Sequence, residues 1–122
     1  MAKILIIDDE AEFADMVALR LRKTGGFETL VAYDGEKGLD LAKKELPDLI
    51  ILDVLMPKMD GLDVLKNLRK NKPTSATPVL VLTASATPTT MEKLKSLNVG
   101  GYIIKPFEPA DLMGKINNLL KK

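Results

Sequence analysis

The 122-residue chain has no cysteine and no histidine. Without cysteine there are no disulfides and no thiolate metal sites. Without histidine, Ser-His-Asp and Cys-His nucleophile pairs and the usual zinc ligands fall away. Aromatic residues make up only 4% of the chain, too few for the stacking platforms that bind single-stranded nucleic acid. An excess of one charge is also missing. Eighteen Lys and Arg stand against 17 Asp and Glu, for a formal net charge of +1. Neither direct nucleic-acid binding nor electrostatic attachment to a membrane is expected. No run approaches the ~20 apolar residues of a membrane span. The opening "MAKILIIDDE" holds four consecutive apolar residues before its acids, too few for a signal-peptide core. The expectation is a soluble, cytoplasmic protein whose chemistry comes from carboxylates, hydroxyls, lysines and backbone.

What is present suits one globular domain over residues 1–122. Hydrophobic residues make up 46% and charged residues 29%, an ordinary balance for a soluble core. Short apolar runs at 4–7, 29–33, 49–52, 79–82 and 102–104 alternate with segments of helical period. The helical segments cover about 10–24, 35–46, 60–71, 88–97 and 108–121. Phe13, Val17 and Leu21 form one stripe, Leu62, Leu65 and Leu68 another, and Leu112, Met113, Ile116, Leu119 and Leu120 a third. Gly25-Gly26, Pro47 and Asn98 supply stop signals. Five strand-helix units in succession imply an α/β fold, a parallel sheet covered by helices on both faces. There is no repeat and no low-complexity tract. The stretch "KNKPTSATP" (70–78) reads as the least structured.

"LIILDVLMP" (49–57) sets a carboxylate, Asp53, within a run that reads as a buried strand. Other runs also end in polar residues that an apolar pattern does not require. "ILII" leads into Asp8 and Asp9, "VLVL" into Thr83, and "YII" into Lys105. Ligands of open parallel sheets bind beyond the carboxyl ends of the strands, so these residues are expected to share one cleft. Three carboxylates together repel unless a cation joins them. With no histidine or cysteine, Mg²⁺ is the natural cation, since it takes one or two carboxylates and keeps water or phosphate oxygens. A carboxylate facing a metal, a lysine and a hydroxyl suits phosphoryl transfer, with Asp53 as nucleophile.

The motifs "IDDE" (7–10), "LDVLMPKMDG" (52–61), "LTA" (82–84) and "YIIKPF" (102–107) occur in order over nearly the whole chain. With them the chain resembles the receiver domain of a bacterial two-component response regulator, either stand-alone or part of a longer regulator. The resemblance implies a flavodoxin-like fold with strand order 2-1-3-4-5 and Asp53 as phosphoacceptor. It implies Mg²⁺ held by Asp9 directly, by Asp8 mainly through water, by Asp53, and by the Leu55 carbonyl. Thr83 becomes the switch hydroxyl, Ala84 the small residue beside the phosphoryl group, and Lys105 its cationic partner before an expected cis Pro106. Tyr102 matches the switch aromatic that turns inward. Leu55 and Ser85 flank the path of the hydrolytic water. An apolar Leu55 implies a long-lived phosphorylated form. Asn98-Val99 departs from the family's frequent Gly-Ala and touches only a helix cap. The donor would be a sensor histidine kinase or phosphotransfer protein. The response would pass through the surface of the fourth helix, fifth strand and fifth helix to an effector, with dimerisation there also open.

Plainer readings exist for each residue. Asp8 and Asp9 could cap the first helix, Asp53 could be a solvated loop residue, and Thr83 a strand former. Lys105 could lie on the surface, and Tyr102 could simply pack. A phosphorylation-independent interaction module would usually lack one of the acids or the lysine. A dehalogenase-like phosphatase needs a DxD motif where this chain has "LDVL". A flavin carrier needs a phosphate-binding loop where it has the repulsive "DDEAE".

Overall fold

A computed structural model describes residues 2–54, 56, 61–84, 87–97, 99–105 and 107–120. Leu55, Ser85, Asn98 and Pro106 lie outside them. Strands β1 (Lys3–Ile7), β2 (Glu28–Ala32), β3 (Leu49–Asp53), β4 (Val79–Thr83) and β5 (Gly101–Ile104) form one parallel sheet in the order β2-β1-β3-β4-β5. Helices α1 (Ala11–Gly25), α2 (Gly35–Glu45), α3 (Gly61–Lys70), α4 (Pro88–Ser96) and α5 (Pro109–Leu120) connect and follow the strands. Each boundary lies within one residue of the expectation from periodicity. Among the described residues, no helix is long and apolar enough to cross a membrane.

The sheet divides the core into two layers. Leu5, Ile7, Ile50, Leu52 and Val81 pack with residues of α2, α3 and α4 on one face. Ile4, Ile6, Leu49, Ile51, Leu80, Leu82 and Ile103 pack with α1 and α5 on the other. Every residue of β3 and β4 is therefore buried, and their sequences do not alternate. The edge strands differ. In β5, Tyr102 and Ile104 are exposed on either side of buried Ile103, because successive strand residues face opposite ways and the edge is covered less on one side.

Local chemistry sets the helix ends. The α1 stripe buries Ala14, Val17, Ala18 and Leu21. The helix stops at Gly26, whose φ of 67° is the left-handed cap conformation that glycine enters at no steric cost. Asp34 accepts the Lys37 N–H at 2.8 Å to start α2, and Thr87 accepts the Thr90 N–H at 3.2 Å to start α4. Helix α2 ends at Leu46, an exposed non-glycine residue with φ 48°. Leucine in that region costs about 1 kcal/mol, whereas asparagine tolerates it. Leu46→Asn is expected to stabilise the protein by about 0.5 kcal/mol, read as a higher urea midpoint.

The stretch 70–78 is more ordered than its composition suggests. Residues Lys72–Thr74 form a 3₁₀ turn. Buried Thr74 donates its hydroxyl to the Leu68 carbonyl at 2.8 Å. The Arg69 guanidinium donates to the carbonyls of Leu97 at 3.0 Å and Thr77 at 2.9 Å. One cation thus ties this loop to the end of α4 and satisfies carbonyls that helix and strand ladders leave open.

Candidate functional site

Four contiguous strands, β1, β3, β4 and β5, deliver polar residues to the carboxyl edge of the sheet. Asp8 follows β1 and is held by its N–H to the Ala32 carbonyl at 3.1 Å. Asp53 is the last residue of β3 and Thr83 the last of β4. Lys105 follows β5, its N–H donating to the Thr83 carbonyl at 2.7 Å. Asp8, Asp53 and Thr83 are all buried.

The Lys105 ammonium joins these strand ends. It lies 3.1 Å from Asp8 Oδ2, 3.2 Å from Glu10 Oε1 and 3.4 Å from Asp53 Oδ2. The side chains of Asp8 and Asp53 are only 1% and 5% exposed, that of Lys105 14%. Burial pulls the Lys105 pKa down, but the hydrogen bond and charge of Asp8, the charge of Asp53 and the bond to Glu10 outweigh it. The result is a pKa above the ordinary 10.5, so the site keeps its ammonium at neutral pH.

Glu10 is the residue that sequence reasoning passed over, although "IDDE" contains it. Its N–H donates to Asp8 Oδ1 at 3.0 Å, a local turn of the kind Asp side chains form. Its carboxylate reaches Lys105 as described. Oxygens of Asp8, Glu10 and Asp53 all lie within 4.8 Å of one another. Asp9 is exposed and stands outside this group. An all-carboxylate donor set fits a hard, oxygen-seeking cation such as Mg²⁺. Thr83 ends the strand beside β3, and Tyr102 is exposed on β5.

Among the described residues, three carboxylates face one ammonium, an excess of negative charge. Asp53 is the most distant of the three from Lys105, so neutralising it sacrifices least. Asp53→Asn is expected to raise the stability of the metal-free protein by about 1 kcal/mol, or roughly 3–5 °C in melting temperature. A thermal melt in EDTA reads it, and an unchanged or lower midpoint would contradict a repulsive cluster.

Comparison with known proteins agrees with this geometry. Residues 4–117 match the family described as the response regulator receiver domain, and the chain belongs to that family. Its members are phosphorylation-dependent signalling domains of two-component systems and not classical enzymes. The chain is 39% identical over 124 residues to the transcriptional regulatory protein CpxR of Escherichia coli, covering 100% of this chain and 50% of that one. It is 37% identical over 122 residues to the alkaline phosphatase synthesis transcriptional regulatory protein PhoP of Bacillus subtilis, covering 98% and 49%. The chain thus spans about half the length of these relatives. Among solved structures, chemotaxis protein CheY4 of Vibrio cholerae superposes with a TM-score of 0.93 at 35% identity, covering 98% of this chain and 99% of that one.

Proposed function

We propose that residues 1–122 form a single cytoplasmic receiver domain that accepts a phosphoryl group on Asp53 from the phosphohistidine of a sensor histidine kinase or phosphotransfer protein. The observation that carries this reading is the Lys105 ammonium, which bridges buried Asp8 and Asp53 at the carboxyl edge of the sheet. An Asp53 oxygen attacks phosphorus, the bond from phosphorus to the donor's imidazole nitrogen breaks, and the imidazole leaves with its electron pair. Lys105 neutralises charge on the phosphoryl oxygens, and the Thr83 hydroxyl donates to one of them. Asp8, Asp9 and Asp53 would hold Mg²⁺ together with the Leu55 carbonyl, and Glu10 is positioned to contribute a further oxygen. The ion, when bound, supplies charge neutralisation for the transferred group.

The output follows from the same edge. Thr83 and Lys105 share a backbone hydrogen bond, so a movement of the Thr83 backbone that accompanies its hydroxyl toward the phosphoryl group is passed to Lys105. Tyr102, exposed on β5, turns inward as that space opens. The surface of α4, β5 and α5 then changes for a downstream effector or a second copy. A groove of about 670 Å³ on the β5 and α5 part of this surface is lined by Tyr102, Ile104, Phe107, Asp111 and Lys115, among others.

The test is incubation with acetyl phosphate and Mg²⁺, followed by mass spectrometry of the intact protein and its peptides. One base-labile phosphoryl group on Asp53 is expected, absent in Asp53→Ala and strongly reduced in EDTA. An adduct that persists in Asp53→Ala, or forms fully in EDTA, would overturn the assignment. No adduct at all would favour a phosphorylation-independent interaction module.

A further inference from the structure

We propose that Phe13 is a positioning residue for Lys105, its ring face holding the ammonium at the mouth of the site while the ionic partners of that ammonium change. The inference rests on the reading of Asp53 as phosphoacceptor.

The Lys105 Nζ lies 4.3 Å from the centroid of the Phe13 ring, well inside the range of about 6 Å over which the ring quadrupole attracts a cation. With the lysine side chain only 14% exposed, water screens this contact little, and such contacts strengthen on desolvation. The ring is itself held in place. Its helix is anchored by buried Ala14 and Val17. It also meets Phe107 in a T-shaped pair, with centroids 5.9 Å apart and planes at 78°, a favoured aromatic arrangement. Phe107 lies two residues beyond Lys105, so both chain segments that carry the cation-ring contact are locked together. In the sequence, Phe13 reads as the first member of the Phe13, Val17, Leu21 core stripe. In the structure it is half-buried and lies against a charge.

Among the described residues, the other three contacts of the ammonium are all carboxylates, and each is sensitive to the reaction. Phosphorylation converts the Asp53 carboxylate to a mixed anhydride and places new oxygens before the lysine. Asp8 and Glu10 belong to the group suited to a cation, so their charge is shared whenever one is bound. Of these four contacts, the ring is the one that keeps its attraction throughout. Lysine carries its charge on a flexible four-carbon stem, so a constant contact near the tip narrows the search for the incoming phosphoryl oxygen.

The experiment compares wild type with Phe13→Leu, Phe13→Tyr and a series carrying one, two or three fluorines on the Phe13 ring. Fluorination weakens the quadrupole at nearly constant shape. Two quantities are read. The first is the rate of Asp53 phosphorylation by acetyl phosphate at saturating Mg²⁺. The second is the ring-current shift of the Lys105 side-chain methylene protons in the metal-free protein. Phe13→Leu is expected to lose the ring-current shift and to slow phosphorylation about threefold to tenfold. Phe13→Tyr should retain both, and the fluorinated series should decline stepwise in rate while its melting temperature stays level. Wild-type rates in Phe13→Leu, or a flat fluorinated series, would reduce Phe13 to a packing residue and overturn the proposal while leaving the acceptor reading intact. A wild-type protein that takes no phosphoryl group on Asp53 would overturn both.

Discussion

Lys105→Met is expected to lower the stability of the metal-free protein by about 3 kcal/mol, roughly 10 °C in melting temperature. Methionine keeps most of the stem's volume and can still lie against Phe13, so packing contributes little of the loss. The loss comes from Asp8 and Asp53, whose side chains are 1% and 5% exposed and would lose the ammonium that lies against both of them. A cation should compensate, so Mg²⁺ is expected to restore more stability to the variant than to wild type. Adding Asp53→Asn to Lys105→Met should cost less than the lysine change alone, because one of the buried charges that faced the ammonium is gone. The pH dependence has a definite sign. The Lys105 pKa is raised on folding, against burial and in favour of its carboxylate partners. Its contribution is therefore fully present below the ordinary lysine value of 10.5 and is lost as pH rises through the higher folded value. Urea melts in EDTA should give a constant gap between wild type and variant at neutral pH that closes in strong alkali. Equal stabilities at neutral pH would mean that the carboxylates do not depend on this lysine.

Gly61→Ala is expected to be comparably harmful, about 3 kcal/mol. Gly61 opens α3 and donates its N–H to the Val54 carbonyl at 2.7 Å. A Cβ there would collide with Val54 Cα and with the Asp53 carbonyl oxygen. Both are backbone atoms, which cannot swing aside like a side-chain tip, so the chain around Asp53 must shift. The phosphorylation rate should fall along with the stability, since the displaced residues include the proposed acceptor. Gly114 provides the contrast. It lies within α5, and a Cβ there meets nothing within 4 Å. Gly114→Ala should stabilise by about 1 kcal/mol through helix propensity. Chemical denaturation of both variants tests the pair, and a mild Gly61→Ala would mean that the β3-α3 connection yields easily.

Much of the architecture is legible along the chain because burial leaves a one-dimensional trace. A strand covered on both faces has no alternation, as in "LIIL" and "VLVL", and a helix on a sheet repeats its apolar residues at three and four. Polar residues that interrupt such runs stand out, and so Asp8, Asp53, Thr83 and Lys105 could be singled out as strand-end residues. The strand order came with the family resemblance, and the sheet places all four on its carboxyl edge. Other features leave no such trace. Glu10 looks like any acid at a helix start until the turn on Asp8 brings its carboxylate to Lys105. Phe13 has the spacing of a core residue, and Gly61 the look of an ordinary turn glycine. Tyr102 and Ile104 sit in an apolar run yet are exposed, because only the assembled sheet makes β5 an edge.

The difference is one of range. Periodicity and capping are set by neighbours within a turn or two, where the chain's own geometry dictates which side chains meet. The ion pair of Asp8 with Lys105 joins residues 97 positions apart, and that of Asp53 with Lys105 spans 52. Which distant groups share a buried site depends on strand order, register and the path of each connection. Those are settled when the two apolar layers close on the sheet, and only then does the cost of burying Asp8 and Asp53 require a cation at that place.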